Sequence, residues 1–113
     1  MRLALAAVAA LLAGCLEAPM TLDEATCPPG GTALRYDTFA QPYFAQYCDG
    51  CHTGARSGAP AAYRFDSRDG IRTHAARIFA RAAGPNVSMP PGPVDPPEEG
   101  RAQLAEWLAC GMP

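Results

Sequence analysis

Cys48-Asp49-Gly50-Cys51-His52 sets two thiols three positions apart, with an imidazole directly after the second. The residues upstream predict a helix leading into it. Thr38 suits an N-cap, Gln41 three residues on completes a capping box, and Pro42 still falls inside the first turn. On that helix, over 39–48, Phe44, Tyr47, Cys48 and Cys51 follow the i, i+3, i+4, i+7 spacing, so both cysteines are expected to continue one face. Downstream, a second helix fits 67–83, capped by Asp66 and stopped by Gly84-Pro85, with Ile71, Ala75, Ile78, Phe79 and Ala82 as its inner stripe. A third begins where Asp95 caps Pro96 and Pro97, with Glu98 at the third position. It ends at Gly111 and buries Leu104, Trp107 and Leu108. No segment alternates as a strand would and no repeats occur, so the fold class is all-α: three short helices joined by long Gly- and Pro-rich loops.

The composition of the same region is short of core-forming residues. From Cys15 to Pro113 only thirteen of 99 residues are Leu, Ile, Val or Phe, while seventeen are Ala. That lies below the roughly 20% at which a chain struggles to build a core by itself. Something other than aliphatic side chains is needed to fill the interior. Eight Arg stand against eleven Asp and Glu over those residues, and Lys is absent. A weakly acidic chain of this kind is no nucleic-acid binder driven by phosphate attraction.

The first fourteen residues are of another kind. Arg2 precedes an unbroken apolar run over 3–13, followed by small residues, which is the layout of an export signal. Eleven residues are too few for a bilayer-spanning helix, which needs about 20. Leu12-Ala13-Gly14-Cys15 resembles the lipobox of bacterial lipoproteins, which implies cleavage before Cys15 and lipidation of that thiol. Several acyl chains, at about 0.8 kcal/mol per buried CH₂, make a lasting anchor. Leu16, rather than Asp, follows the cysteine, which points towards the outer membrane or the periplasmic face. Residues 16–26 are polar and aperiodic, so residues 15–35 are expected to be a lipidated tether. At about 3.5 Å per residue, the eleven residues 16–26 reach at most roughly 40 Å.

The CxxCH spacing is the attachment signature of covalent c-type haem: two thiols on one turn each add to a vinyl group on one porphyrin edge, and the adjacent imidazole is held under the iron. Two other chemistries use a CxxC. Zinc needs a second ligand pair, and the remaining Cys27, Cys110 and His74 have no matching spacing. A redox disulfide of the thioredoxin kind needs a βαβ context that is missing. Met89, in Met89-Pro90-Pro91, is a soft thioether on a loop stiffened by prolines, suited to the far side of an iron. A gap-filling Met is the plainer reading. His74, Met112 and Met20 are rival ligands. His74 is expected as an exposed helical residue beside Arg72 and Arg77, Met112 sits at the chain end, and Met20 sits in the tether.

Over residues 36–113, the chain resembles the small single-haem cytochromes c of class I. The resemblance is carried by the Cys48 to His52 signature after an aromatic helix, the Met89-Pro90-Pro91 turn, and a terminal helix with Trp107. It implies haem held by Cys48 and Cys51, His52 as proximal and Met89 as distal ligand, and crossing first and last helices with Phe44 and Trp107 near the contact. The missing lysines depart from members that dock partners through them.

With Cys15, Cys48 and Cys51 assigned, Cys27 and Cys110 remain, and in an oxidising compartment leftover cysteines usually bond; two free thiols are the alternative. The arginines either meet haem propionates or form a solvated face, the latter being expected for Arg68, Arg72, Arg77 and Arg81. The sequence offers no acid, base or nucleophile cluster. The expected function is therefore non-enzymatic one-electron transfer by a monomer that meets redox proteins and reaches the membrane through its lipid. A haem sensor or weak peroxidase with a displaceable distal ligand is the alternative, and an accessory lipoprotein whose haem only aids folding is a third.

Overall fold

The computed structural model describes residues 17–53 and 59–113. The signal segment, Cys15 and the loop 54–58 lie outside them. Among the described residues there are four α-helices and no strand, so the architecture is all-α. They are α1 (Gln41–Tyr47), α2 (Arg68–Thr73), α3 (Ala75–Ala82) and α4 (Glu98–Ala109), and a π-helical turn over Tyr36–Ala40 leads into α1.

The inner stripes are where the periodicity puts them. Ile71, Ala75, Ile78, Phe79 and Ala82 are buried on α2 and α3, and Leu104, Trp107 and Leu108 are buried on α4. The helix boundaries differ, for local reasons. Thr38 lies inside the π turn instead of capping α1. Ser67, not Asp66, caps α2: its Oγ accepts the Gly70 amide at 3.1 Å, while Asp66 pairs with Arg64 at the surface. The single helix expected over 67–83 breaks at His74 (φ −111°, ψ 16°), whose ring reaches back to the Ala62 carbonyl at 2.8 Å. Pro97 precedes α4 with no side-chain cap, and Glu98 and Glu99 lie at its positive end.

The end of α4 is tightly tied. Gly111, at φ 84°, lets its own amide reach the Leu108 carbonyl and the Met112 amide reach that of Trp107, the paired bonds of a Schellman stop. The last two residues then gather the fold. The Tyr36 amide and the Trp107 indole N–H both donate to the Pro113 carbonyl, and Arg68 and Arg72 both donate to that of Met112. These two arginines are therefore bonded to the chain end, not merely solvated. Helices α1 and α4 meet where Phe44 faces Trp107, ring centroids 6.5 Å apart, and where Gly100 lies beneath Tyr43.

The segment expected to be a free tether is docked. The Glu24 carboxylate accepts the Met20 and Thr21 amides, which holds its pKa below the usual carboxylate value. Leu22 and Ala25 pack against the core, and the Met20 carbonyl accepts from Asn86 at 2.8 Å. Cys27 and Cys110 form a disulfide, with Cα atoms 4.6 Å apart, joining this segment to the end of α4.

In the chain-entropy view, closing a loop of sequence separation 83 stabilises by about 4.5 kcal/mol. The double variant Cys27→Ser/Cys110→Ser is expected to lose roughly that much, or somewhat less, in urea unfolding. Reductant should lower the midpoint of the wild type and leave that of the variant unmoved.

Candidate functional site

Helix α1 delivers the two thiols by ending. The Cys48 and Asp49 amides both close on the Phe44 carbonyl, and the Cys51 and His52 amides both close on that of Cys48. The expectation that both cysteines extend the helical face is corrected accordingly: α1 stops at Tyr47, and the motif is a separate turn wound about the Cys48 carbonyl. Cys48 is half-buried and Cys51 exposed, and neither is in a disulfide. Burial, and secondarily the Asp49 charge, push the Cys48 thiol up to about 12. Reactive redox cysteines have the opposite shift, since the thiolate is their nucleophile. Among the described residues no three His, Cys, Asp or Glu side chains gather into a metal-holding group, so zinc finds no second ligand pair there.

His52 is held on two sides by the segment that follows the loop. Its Nδ1 lies 2.8 Å from the Tyr63 carbonyl, and a carbonyl only accepts, so Nδ1 carries the proton. The lone pair is thereby left on Nε2, as a ligating imidazole requires. The ring stacks on Phe65 at 4.3 Å between centroids and 21° between planes, and the Phe65 amide donates to the His52 carbonyl. That segment can lie so close because of Gly70 in α2: a Cβ there would collide with the Arg64 carbonyl.

Met89 sits across from these groups. Its amide donates to the Arg81 carbonyl at 2.8 Å, and its own carbonyl accepts from Arg101 at 2.7 Å. Met89 is 41% exposed, and the Met89–Pro90 bond is cis. Cys48, Cys51, His52 and Met89 all line one cleft of about 600 Å³, with Phe44, Phe65, Ile78 and Ala82 among its apolar lining. That volume falls within the roughly 300–1,000 Å³ typical of cofactor sites. Arg77 and Arg81 also line the cleft, instead of standing on a purely solvated face. A shallower groove of about 410 Å³ between α1 and the start of α4 carries no thiol or imidazole.

The rival ligands lie elsewhere. His74 is half-buried at the α2–α3 break, with Nε2 donating to Ala62 and its ring against Tyr63, which corrects the expectation of an exposed helical residue. Met112 lies at the chain end beneath Arg68 and Arg72, and Met20 lies beside Asn86. Cys15 is outside the described residues.

Three features of the site escaped the sequence. The Tyr63 carbonyl and the Phe65 stack depend on a long-range fold and left no signal. Arg101 did leave one. It stands three and seven residues before Leu104 and Leu108, a cation on an apolar stripe, and it is the one charged side chain buried among the described residues.

Two outcomes are expected. Gly70→Ala should push the Arg64 backbone away, cost about 1–3 kcal/mol as an overpacked site does, and loosen His52, read as lower thermal stability and weaker holding of the ring by NMR. The second concerns Asp49, whose Oδ1 is buried without a hydrogen-bond partner among the described residues and whose pKa is raised by burial and then by Asp66. A carboxyl with a raised folded pKa costs stability once ionised, and the cost disappears below its unfolded pKa. Asp49→Asn should therefore raise the melting temperature at pH 7 and leave it unchanged near pH 3.

Comparison with known protein families, with curated proteins and with solved structures gives no match to this chain, so the meaning of the cleft rests on the groups that line it.

Proposed function

We propose that this chain is a c-type cytochrome, a one-electron carrier whose covalent haem occupies the cleft between the Cys48 to His52 turn and the Met89 loop. The observation that carries this reading is the donor set. Two thiols suited to thioether attachment, an imidazole with its Nε2 lone pair free and a soft thioether all border one apolar cleft. When bound, the haem supplies a centre that gains and loses one electron reversibly.

Each of the chain's residues then has a definite task. Cys48 and Cys51 hold the group. His52 ligates through Nε2, because the Tyr63 carbonyl takes its other nitrogen and Phe65 fixes the ring plane. Met89, on the opposite lining of the cleft, would supply the second ligand and leave no open metal position for a substrate. Phe44, Phe65, Ile78 and Ala82 would shield the group from water, and the group would in turn supply the apolar mass that the composition lacks.

The working partners on this reading are redox proteins, with no substrate and no nucleic acid, and the carrier is a monomer. Lipidation at Cys15 would hold it at a bacterial membrane outside the cytoplasm. Met20 is already fixed to Asn86, so the five residue-to-residue steps from Cys15 to Met20 allow at most about 17 Å of reach instead of the longer tether. A sensor or weak peroxidase, in which an outside ligand displaces Met89, is the alternative.

The visible spectrum of the mature protein, made with c-type maturation machinery, separates the two. A weak far-red iron-to-sulfur band in the ferric protein, lost in Met89→Ala, is expected for the carrier. Ready carbon monoxide binding by the reduced wild type, without that band, would transfer the assignment to the sensor. Absence of covalent haem would overturn both.

A further inference from the structure

The buried guanidinium of Arg101 has no carboxylate partner among the described residues, and burying an unpaired cation is expensive. What compensates it is backbone. Nη1 donates to the Ala82 carbonyl at 3.0 Å, the Asn86 carbonyl at 3.0 Å and the Met89 carbonyl at 2.7 Å. These acceptors belong to the end of α3, the turn after it, and the loop bordering the cleft. Arg101 itself is in the first turns of α4, whose backbone makes a further tie: its carbonyl accepts the Gly84 amide at 2.9 Å. The start of the loop is also held by Asn86, whose side-chain amide donates to the Phe79 and Met20 carbonyls, and by Ser88, whose Oγ donates to the Arg81 carbonyl at 3.2 Å. Val87, Met89 and Val94 are nonetheless well exposed, and among the described residues the backbone hydrogen bonds of Met89 are its amide to Arg81 and its carbonyl from Arg101.

The geometry points to Arg101 as the positioning residue of the Met89 loop, a clamp that fixes the thioether against the cleft and sets a positive charge beside it. The inference rests on the cytochrome reading for its redox consequence. The mechanical part stands on the hydrogen bonds alone. A fixed loop shifts the balance of thioether binding against outside ligands, because a sulfur already held in place loses little freedom on ligating. A cation near the iron opposes the more positive ferric state, so it raises the potential. All three bonds come from the one nitrogen Nη1, so Lys would keep the charge and enough donors, but its ammonium ends one atom short of that position and cannot reach all three carbonyls.

The test uses the mature holoprotein with Arg101→Lys and Arg101→Gln. Amide hydrogen exchange over residues 84–94 reads the clamp, with the α1 amides as internal reference. Imidazole competition for the distal position and a redox titration read its consequences. Arg101→Lys is expected to exchange at least tenfold faster in the loop while α1 is unchanged, to bind imidazole at least tenfold more tightly, and to keep its potential. Arg101→Gln should share the loosening and also shift the ferric/ferrous equilibrium about tenfold towards ferric, which is about 59 mV for one electron. Should Arg101→Gln fail to fold, Arg101→Lys decides by itself. Loop exchange and imidazole affinity equal to wild type would overturn the inference, and so would uniform acceleration of loop and α1 alike. If the wild type lacks the far-red band, the Met89 ligation reading has failed. Loop exchange then still decides the clamp, faster exchange in Arg101→Lys upholding it and unchanged exchange overturning it.

Discussion

The contact between Phe44 and Trp107 joins the helix that leads into the thiol turn to the helix that closes the domain, and the rest of the molecule is arranged around it. Phe44 continues the packing outward: it meets Phe65 edge-on at 6.0 Å, and Phe65 lies flat on His52. Aromatic pairs of this kind add about 0.5–1.5 kcal/mol each beyond the area they bury. The more important consequence is geometric. One row of rings runs from the fully buried indole to the imidazole at the cleft, so the plane of His52 is set by the same packing that holds the core.

The two walls of the cleft are held by different physics. On the thiol side, short-range backbone bonds wind the motif about the Cys48 carbonyl, and a carbonyl and a ring fix the imidazole. On the methionine side, one buried cation gathers carbonyls from three places. The contrast with the exposed Arg64–Asp66 pair is instructive, since surface ion pairs contribute about 0–1 kcal/mol and organise little. Arg101 has influence because it is buried and its acceptors are backbone atoms spaced along residues 82–89, from the end of α3 to the cleft.

The terminal segments also belong to the domain. The disulfide ties the N-terminal segment to the end of α4, Asn86 binds Met20, and four donors converge on the last two carbonyls. In a chain so poor in aliphatic residues, such polar and covalent ties supply cohesion that a larger core would otherwise provide.

By itself the sequence determined whatever depends on neighbours along the chain. The stripes of α2, α3 and α4 were legible because burial on a helix follows its 3.6-residue period, and the thiol and imidazole spacing was legible because one turn encodes it. The pairing of Cys27 with Cys110 was legible only as a remainder, because residue types carry no distance. The break at His74, the docking of Met20 and Leu22, the close approach over Gly70 and the carbonyl that orients His52 came only with the tertiary structure. Each depends on a backbone atom far away in sequence, and a backbone carbonyl looks the same at every position. Arg101 stands between the two cases. Its place on an apolar stripe was visible at 101, 104 and 108, but which carbonyls would satisfy its charge was settled only when α3, the loop and α4 came together.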